Sequence, residues 1–250
     1  MTSADDEATA LRDALVVVAG AGGAAGPAVA KTLTEAGAQV VLADHRIDKI
    51  RPLAESLNAA LSPPHTGRPC AHPMVVDLGD EAATRRWADQ LVAQFGHVDG
   101  LVHLVGGWRG GTPLRDVDLN DWEWLAERLV RTVQHTSKAF HDPLLAARAG
   151  RFVLVSATAA HRPQATAAAY AAAKAAAEAW TLALADAFTG TSAAAVIVVV
   201  RALVTAQMRQ AEPQKSFEGY TDVDTLAAEI ANLWRRPAAD VNGTRLWLAE

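Results

Sequence analysis

The stretch AAAYAAAKAAAEAW, residues 167 to 180, sets Tyr170 and Lys174 four positions apart in a run of strong helix formers. Residues i and i+4 share one helix face, so phenol and amine stand side by side. An ammonium beside a phenol favours the phenolate, which makes the tyrosine a proton donor usable near neutral pH. The same spacing also fits a helix that merely shows a polar pair to water. A second chemical signal is AGAGGAAG, Ala19 to Gly26. Gly20, Gly22, Gly23 and Gly26, with Ala25 between them, permit a tight turn and close approach of backbone to a ligand. A helix beginning there offers its N–H groups and positive dipole end to a pyrophosphate. Without a ligand the same run is only a strand-to-helix turn. Asp44 closes the next aliphatic run, where a carboxylate accepts hydrogen bonds from ribose hydroxyls and repels a 2′-phosphate. Arg46 is a residue type that accommodates such a phosphate, so NAD(H) is favoured and NADP(H) is the second choice. Asp77 and Leu78 close a third run; the acid either meets an adenine amino group or caps the following helix.

These groups need a frame to hold them. Aliphatic runs at 15–19, 39–43, 72–76, 98–105, 151–156, 194–200 and 244–249 predict about seven strands. Helical patterns at 27–36, 47–61, 81–95, 120–147, the alanine-rich stretch and 222–234 lie between them. Strands apolar on both faces, alternating with helices, imply a parallel sheet covered on both sides. The fold class is therefore α/β, a Rossmann-type doubly wound sheet that binds ligands at the carboxyl ends of its strands. No linker or repeat divides the 250 residues. Residues 1–13 are expected to be a flexible N-terminal segment and 14–250 a single domain.

A net charge of -5 argues against a nucleic-acid or anionic-membrane surface. The run Val196 to Val200 is far too short to span a bilayer. Cys70 is the one cysteine, so no intrachain disulfide forms, and MTSADDEATALRD is too acidic for a signal peptide. A cytoplasmic protein acting on a small molecule is expected. The eight histidines show no metal-ligand cluster; His135 and His141 are expected at the surface or an interface. Trp122 and Trp124 are expected to pack against neighbours.

Taken in order, the Gly-rich turn, Asp44, Asp77-Leu78, Gly106 after the fourth strand and Tyr170-x-x-x-Lys174 resemble the short-chain dehydrogenase/reductase family over nearly the whole chain. The resemblance implies an NAD(P)-dependent oxidoreductase. Tyr170 is then the general acid or base, and Lys174 holds the nicotinamide ribose and lowers the tyrosine pKa. It also implies a homodimer or homotetramer built through the long helices.

Departures from the family pattern carry information. Ala19 stands for the usual threonine and Ala24 for the middle glycine. His103-Leu104-Val105-Gly106 replaces N-N-A-G, and Val200-Arg201 replaces Pro-Gly. Leu129 takes the catalytic asparagine position and Ala157 the serine position. Losing such a donor to a developing oxyanion costs on the order of 10²–10³ in rate. Ser156 is no simple substitute, because strand neighbours point to opposite faces; Thr158 and His161 are the residues able to curl in. The dihydropteridine reductase branch is similar in these respects. It lacks the serine, has a G-A-x-G turn like residues 23 to 26, and carries a loop like Gly106-Gly107-Trp108-Arg109-Gly110-Gly111. Trp108 either stacks on a planar substrate or packs over its own loop. Arg109 is either a surface charge or a contact to a substrate carbonyl. The implied reaction is hydride transfer to a small planar molecule such as a quinonoid dihydropterin. A carbonyl reductase or alcohol dehydrogenase with a rebuilt site, and a non-catalytic dinucleotide-binding protein, are the alternatives.

Overall fold

The computed structural model describes residues 11–61 and 69–249. Its central sheet has seven strands: β1 (Leu15–Ala19), β2 (Gln39–Asp44), β3 (Ala71–Val75), β4 (Gly100–His103), β5 (Arg151–Ala157), β6 (Ala194–Val200) and β9 (Arg245–Trp247). Their spatial order is β3-β2-β1-β4-β5-β6-β9, and every pairing is parallel. The order reverses direction between β1 and β4, which is where open parallel sheets form a ligand crevice. Two short strands missed in the sequence, β7 (Leu203–Val204) and β8 (Thr221–Asp222), pair beside the main sheet.

Alternation along each strand divides the apolar residues into two cores. Val16, Val18, Val40 and Leu42 face α1 (Gly26–Glu35) and α8 (Val223–Asn232), where Val29, Leu33, Leu226 and Ile230 are buried. Leu15, Val17, Val41 and Phe152 face the other side, against Trp87 and Leu91 of α3 (Glu81–Phe95) and Phe140 of α5 (Thr132–Ala146). Both faces are dry, so the strands read as continuous apolar runs rather than alternating ones. Leu11 joins the first core at 4% exposure. The N-terminal segment therefore docks by residue 11; residues 1–10 lie outside those described, as does most of the 62–70 loop.

Helix ends follow their local chemistry. Pro27 sits in the first turn of α1, where its missing N–H costs nothing. Asp80 caps α3, its Oδ1 accepting from the Ala83 N–H at 2.9 Å, and Gly96 ends that helix at φ 85°. The expected long helix is present but interrupted. It runs as α4 (Leu119–Ala126), a π-helical turn (Glu127–Arg131) and then α5. Such turns recur at functional sites because they re-aim side chains. The alanine-rich stretch is α6 (Ala168–Ala187), twenty residues long. The remaining helices are α2 (Ile47–Leu61), α7 (Ala206–Ala211) and α9 (Ala238–Val241). Among the described residues no helix is long and apolar enough to cross a membrane.

β4 is shorter than the apolar run suggested. After the Leu104 N–H donates to the Ala19 carbonyl, the chain leaves the sheet and becomes the glycine-rich loop.

Candidate active site

An open cleft of about 1400 Å³ lies at the carboxyl ends of the central strands. One side is formed by Gly20, Gly23, Ala24, Ala25, Asp44, Asp77 and Leu78. The other includes Gly106, Trp108, Val155, Tyr170 and Lys174. Residues from six separate segments thus meet in one space.

The glycines act in different ways. Gly20 has φ 81°, and a Cβ on it would stand 2.8 Å from the Val105 backbone nitrogen. Gly22 does not line the cleft. Its N–H donates to Asp44 Oδ2 at 3.1 Å, and a Cβ would lie 2.8 Å from that oxygen. Gly26 is also withdrawn, because a Cβ would fall 1.9 Å from the Ala21 carbonyl oxygen. These two let the carboxylate and the helix close in on the turn. Asp44 Oδ1 accepts from the Arg46 N–H at 3.0 Å, so both carboxylate oxygens are held by backbone. The Arg46 side chain lies 3.8 Å from Oδ1.

Asp77 is not the helix cap, since Asp80 fills that place. Its Oδ1 accepts from the Gly79 N–H at 2.9 Å and the residue stays exposed on the cleft. Leu78 is buried, and its carbonyl lies 2.9 Å from His135 Nδ1. His135 is thus an interior residue at 8% exposure, correcting the surface expectation. The reason is that α5 packs on α3 and turns this ring inward toward the strand-three end.

Lys174 donates to the Val155 carbonyl at 2.9 Å and is buried. Burial lowers its pKa to about 8, opposed by the nearby Glu178 charge. Tyr170 is half-buried, and burial pushes its phenol up to about 12. The expected lowering of the phenol by the lysine is therefore reversed in the free protein. Loss of water around the phenol is the cause, while the amine is anchored on the β5 backbone.

Leu129 lies in the π turn at 2% exposure. With Leu125 and Ala173 it makes a small apolar cluster against which Tyr170 and Trp124 pack. The family's polar position has become part of a dry floor. Ala157 lines the cleft without a donor on its side chain. Ser156 Oγ donates to Glu178 Oε1 at 2.6 Å, and His161 Nε2 lies 2.8 Å from Glu178 Oε2. Arg245 Nε donates to the same Oε2 at 2.7 Å. His161 is thus drawn to Glu178 rather than curling into the cleft. Thr158 opens a 3₁₀ turn whose carbonyl accepts from the His161 and Arg162 N–H groups, and it is not among the cleft residues. That turn carries the chain past the strand end, so Thr158, expected to meet substrate, is not brought together with the other site residues here.

Trp108 is 61% exposed and lines the cleft. It also rests over its own loop, since a Cβ on Gly110 would be 3.1 Å from the indole. The Gly111 N–H donates to the Thr166 carbonyl at 2.7 Å, tying the loop to the chain just before α6. Arg109 Nη1 bonds Asp121 at 2.8 Å.

Sequence reasoning missed two groups. Trp124 and Arg128 line the cleft, brought there by the π turn, for which the sequence has no simple marker. His103 lies beneath the site at 1% exposure, its ring centroid 6.5 Å from that of Phe152. Burial, with a smaller effect from Lys174, lowers its pKa to about 3, so the ring is neutral. Its place in the strand-four departure was the available signal.

The family model for short chain dehydrogenases matches residues 14–216. Sulfoacetaldehyde reductase 2 of Chromohalobacter salexigens is 28% identical over 140 residues, 56% of this chain and 52% of that protein. Peroxisomal 2,4-dienoyl-CoA reductase of Danio rerio is 29% identical over 155 residues, 62% of this chain and 49% of that protein. The chain spans about half the length of these curated relatives. Among solved structures, a gluconate 5-dehydrogenase of Burkholderia cenocepacia in complex with NADP and tartrate superposes at TM-score 0.80, with 23% identity and 97% of each chain covered. A short chain dehydrogenase of Shigella flexneri complexed with NADP gives TM-score 0.83 at 22% identity, covering 95% of this chain and 97% of that one. Identities this low establish a shared fold.

Proposed function

The chain belongs to the short chain dehydrogenase family, and from that premise we propose that it is an NAD(H)-dependent oxidoreductase of a small planar substrate. One observation carries the reading: Tyr170 and Lys174 open onto the same cleft as the Gly20–Ala25 turn and Asp44. The residues fit a dinucleotide. Gly20 keeps the strand-four backbone close, and Gly22 leaves room for a carboxylate fixed by two N–H groups. When bound, the nicotinamide supplies or accepts the hydride.

The chain's own groups manage the rest. The Tyr170 phenol stays protonated at neutral pH, so it holds a proton to give in the reductive direction. Lys174, fixed on Val155, offers its remaining N–H groups to the ribose hydroxyls. The dry floor of Leu125, Leu129 and Ala173 excludes water from beneath the phenol. Ala157 offers no second donor, so a substrate that spreads its developing charge over a conjugated ring is favoured over a simple ketone. A quinonoid dihydropterin has that property, and Trp108 supplies an aromatic face for it.

Asp44 supports NAD(H); the NADP bound by the two solved neighbours supports NADP(H) as the second cofactor. Exposed Leu119, Trp122 and Trp180 on α4 and α6 support a homodimer or homotetramer. Leu129 and Ala157 also favour a second reading, a dinucleotide-binding protein without turnover. The test is NADH oxidation with a quinonoid dihydropterin, quinones and activated carbonyls, with Tyr170→Phe as control. Turnover of the dihydropterin lost in Tyr170→Phe supports the proposal. Turnover of simple carbonyls alone selects the rebuilt carbonyl reductase. Saturable NADH binding without turnover of any of them selects the non-catalytic reading.

A further inference from the structure

The mouth of the cleft sets two arginines against one indole. Arg109, on the glycine-rich loop, holds its guanidinium carbon 4.3 Å from the Trp124 ring centroid. Arg128, on the π turn, holds its own at 4.5 Å. All three residues line the cleft. Gly107 admits the arrangement: a Cβ there would stand 2.7 Å from the indole and 3.6 Å from Arg128 Cδ. The tryptophan in turn packs on the apolar cluster that carries Tyr170, so the arginines sit over the same floor as the phenol.

Two like charges against one ring repel, and the neighbouring carboxylates balance only one of them. Asp121 takes Arg109. Glu127 takes Arg131 at 2.8 Å. Glu123 lines the mouth but pairs with neither arginine, and among the described residues Arg128 has no carboxylate partner. An aromatic face steadies a cation without consuming its N–H donors. A guanidinium held in this way presents a fork that matches a carboxylate.

We infer that the substrate carries a carboxylate, which docks on Arg128 and Arg109 at Trp124 while its reacting atoms lie toward Tyr170. This rests on the oxidoreductase reading, since it assigns the outer part of the same cleft. The neutral dihydropterin lacks such a group, so the inference narrows the planar substrate class to its acidic members.

The test is calorimetric titration of the NADH-loaded protein with 2-naphthoate and with 2-naphthamide, planar molecules of one size and different charge. NADH affinity is measured first on each protein. The naphthoate should bind at least about tenfold tighter, the scale of one charge-assisted hydrogen bond. Arg128→Gln and Arg109→Gln should each bring the ratio toward unity, and raised salt should shrink it in the wild type. Arg86→Gln, an exposed residue of α3 that does not line the cleft, should leave it unchanged. Arg128 is exposed, so its variant tests the idea even if Arg109→Gln fails to fold. Equal affinities, or a preference that survives Arg128→Gln, overturn the inference while NADH binding keeps the oxidoreductase reading alive. Failure of both NADH and NADPH to bind the wild type removes both.

Discussion

Lys174 holds the backbone carbonyl of Val155 at 2.9 Å, which pins the amine to the end of β5 one helical turn from the Tyr170 phenol. The two groups are governed by loss of water more than by each other. The amine falls to about 8 and the phenol rises to about 12. Each is thereby pushed toward its neutral form, an arrangement suited to passing one proton rather than storing charge.

Tyr170→Phe should lower kcat for NADH oxidation by about 10²–10⁴, the usual contribution of a positioned general acid. Fluorescence titration should find NADH affinity little altered, because the ring itself remains. A variant that keeps most of its activity would mean that the proton comes from another group.

Lys174 links stability to pH. Its folded pKa of about 8 lies below the unfolded value of 10.5, so the unfolded chain binds more protons between those limits. The cost of burying the charge is complete below about pH 8 and is relieved as pH rises toward 10.5. Lys174→Met never has that cost. Urea unfolding should therefore show its stability relative to wild type declining steadily from pH 8 to 10, and a flat difference would contradict the assignment.

His103 acts in the acid range. A neutral buried ring with a pKa of about 3 must gain a proton on unfolding below pH 6.5, so stability is lost as pH falls from 6.5 toward 3. A shift of this size corresponds to several kcal/mol at its limit. His103→Leu should lose less stability than wild type between pH 7 and 4, read from Tm at each pH.

Asp44→Ala should exchange the cofactor preference. Removing the carboxylate frees the space beside Arg46 for a 2′-phosphate and deletes the ribose acceptor. NADH should weaken and NADPH should strengthen, each by about tenfold, or ~1.4 kcal/mol. Unchanged preference would place the ribose elsewhere.

Gly26→Ala should destabilise the fold by about 1–3 kcal/mol, because its Cβ enters the Ala21 carbonyl and α1 must move outward. Denaturant midpoint and NADH affinity should fall together.

Much of the frame was legible from residue order. Val16 to Val18 and Val196 to Val200 read as strands because both faces of this sheet are dry. The Gly20–Gly26 turn was legible because positive φ and close packing admit few residue types. Tyr170 and Lys174 share a face by helix geometry alone. Each of these leaves its mark in the local order of residues. The opposite holds for His135, which looked superficial until α5 packed on α3, and for His161, which Glu178 draws away from the cleft.

The amino-acid order by itself determined the alternation of strand and helix, the phosphate-type turn and the phenol–amine pair, since periodicity and backbone freedom are local properties. Only the tertiary structure decided that Arg109 and Arg128 meet over Trp124, that Leu129 dries the floor under Tyr170, and that the phenol rises rather than falls in pKa. Those outcomes depend on which remote segments exclude water from a group, and exclusion of water belongs to the packed chain as a whole.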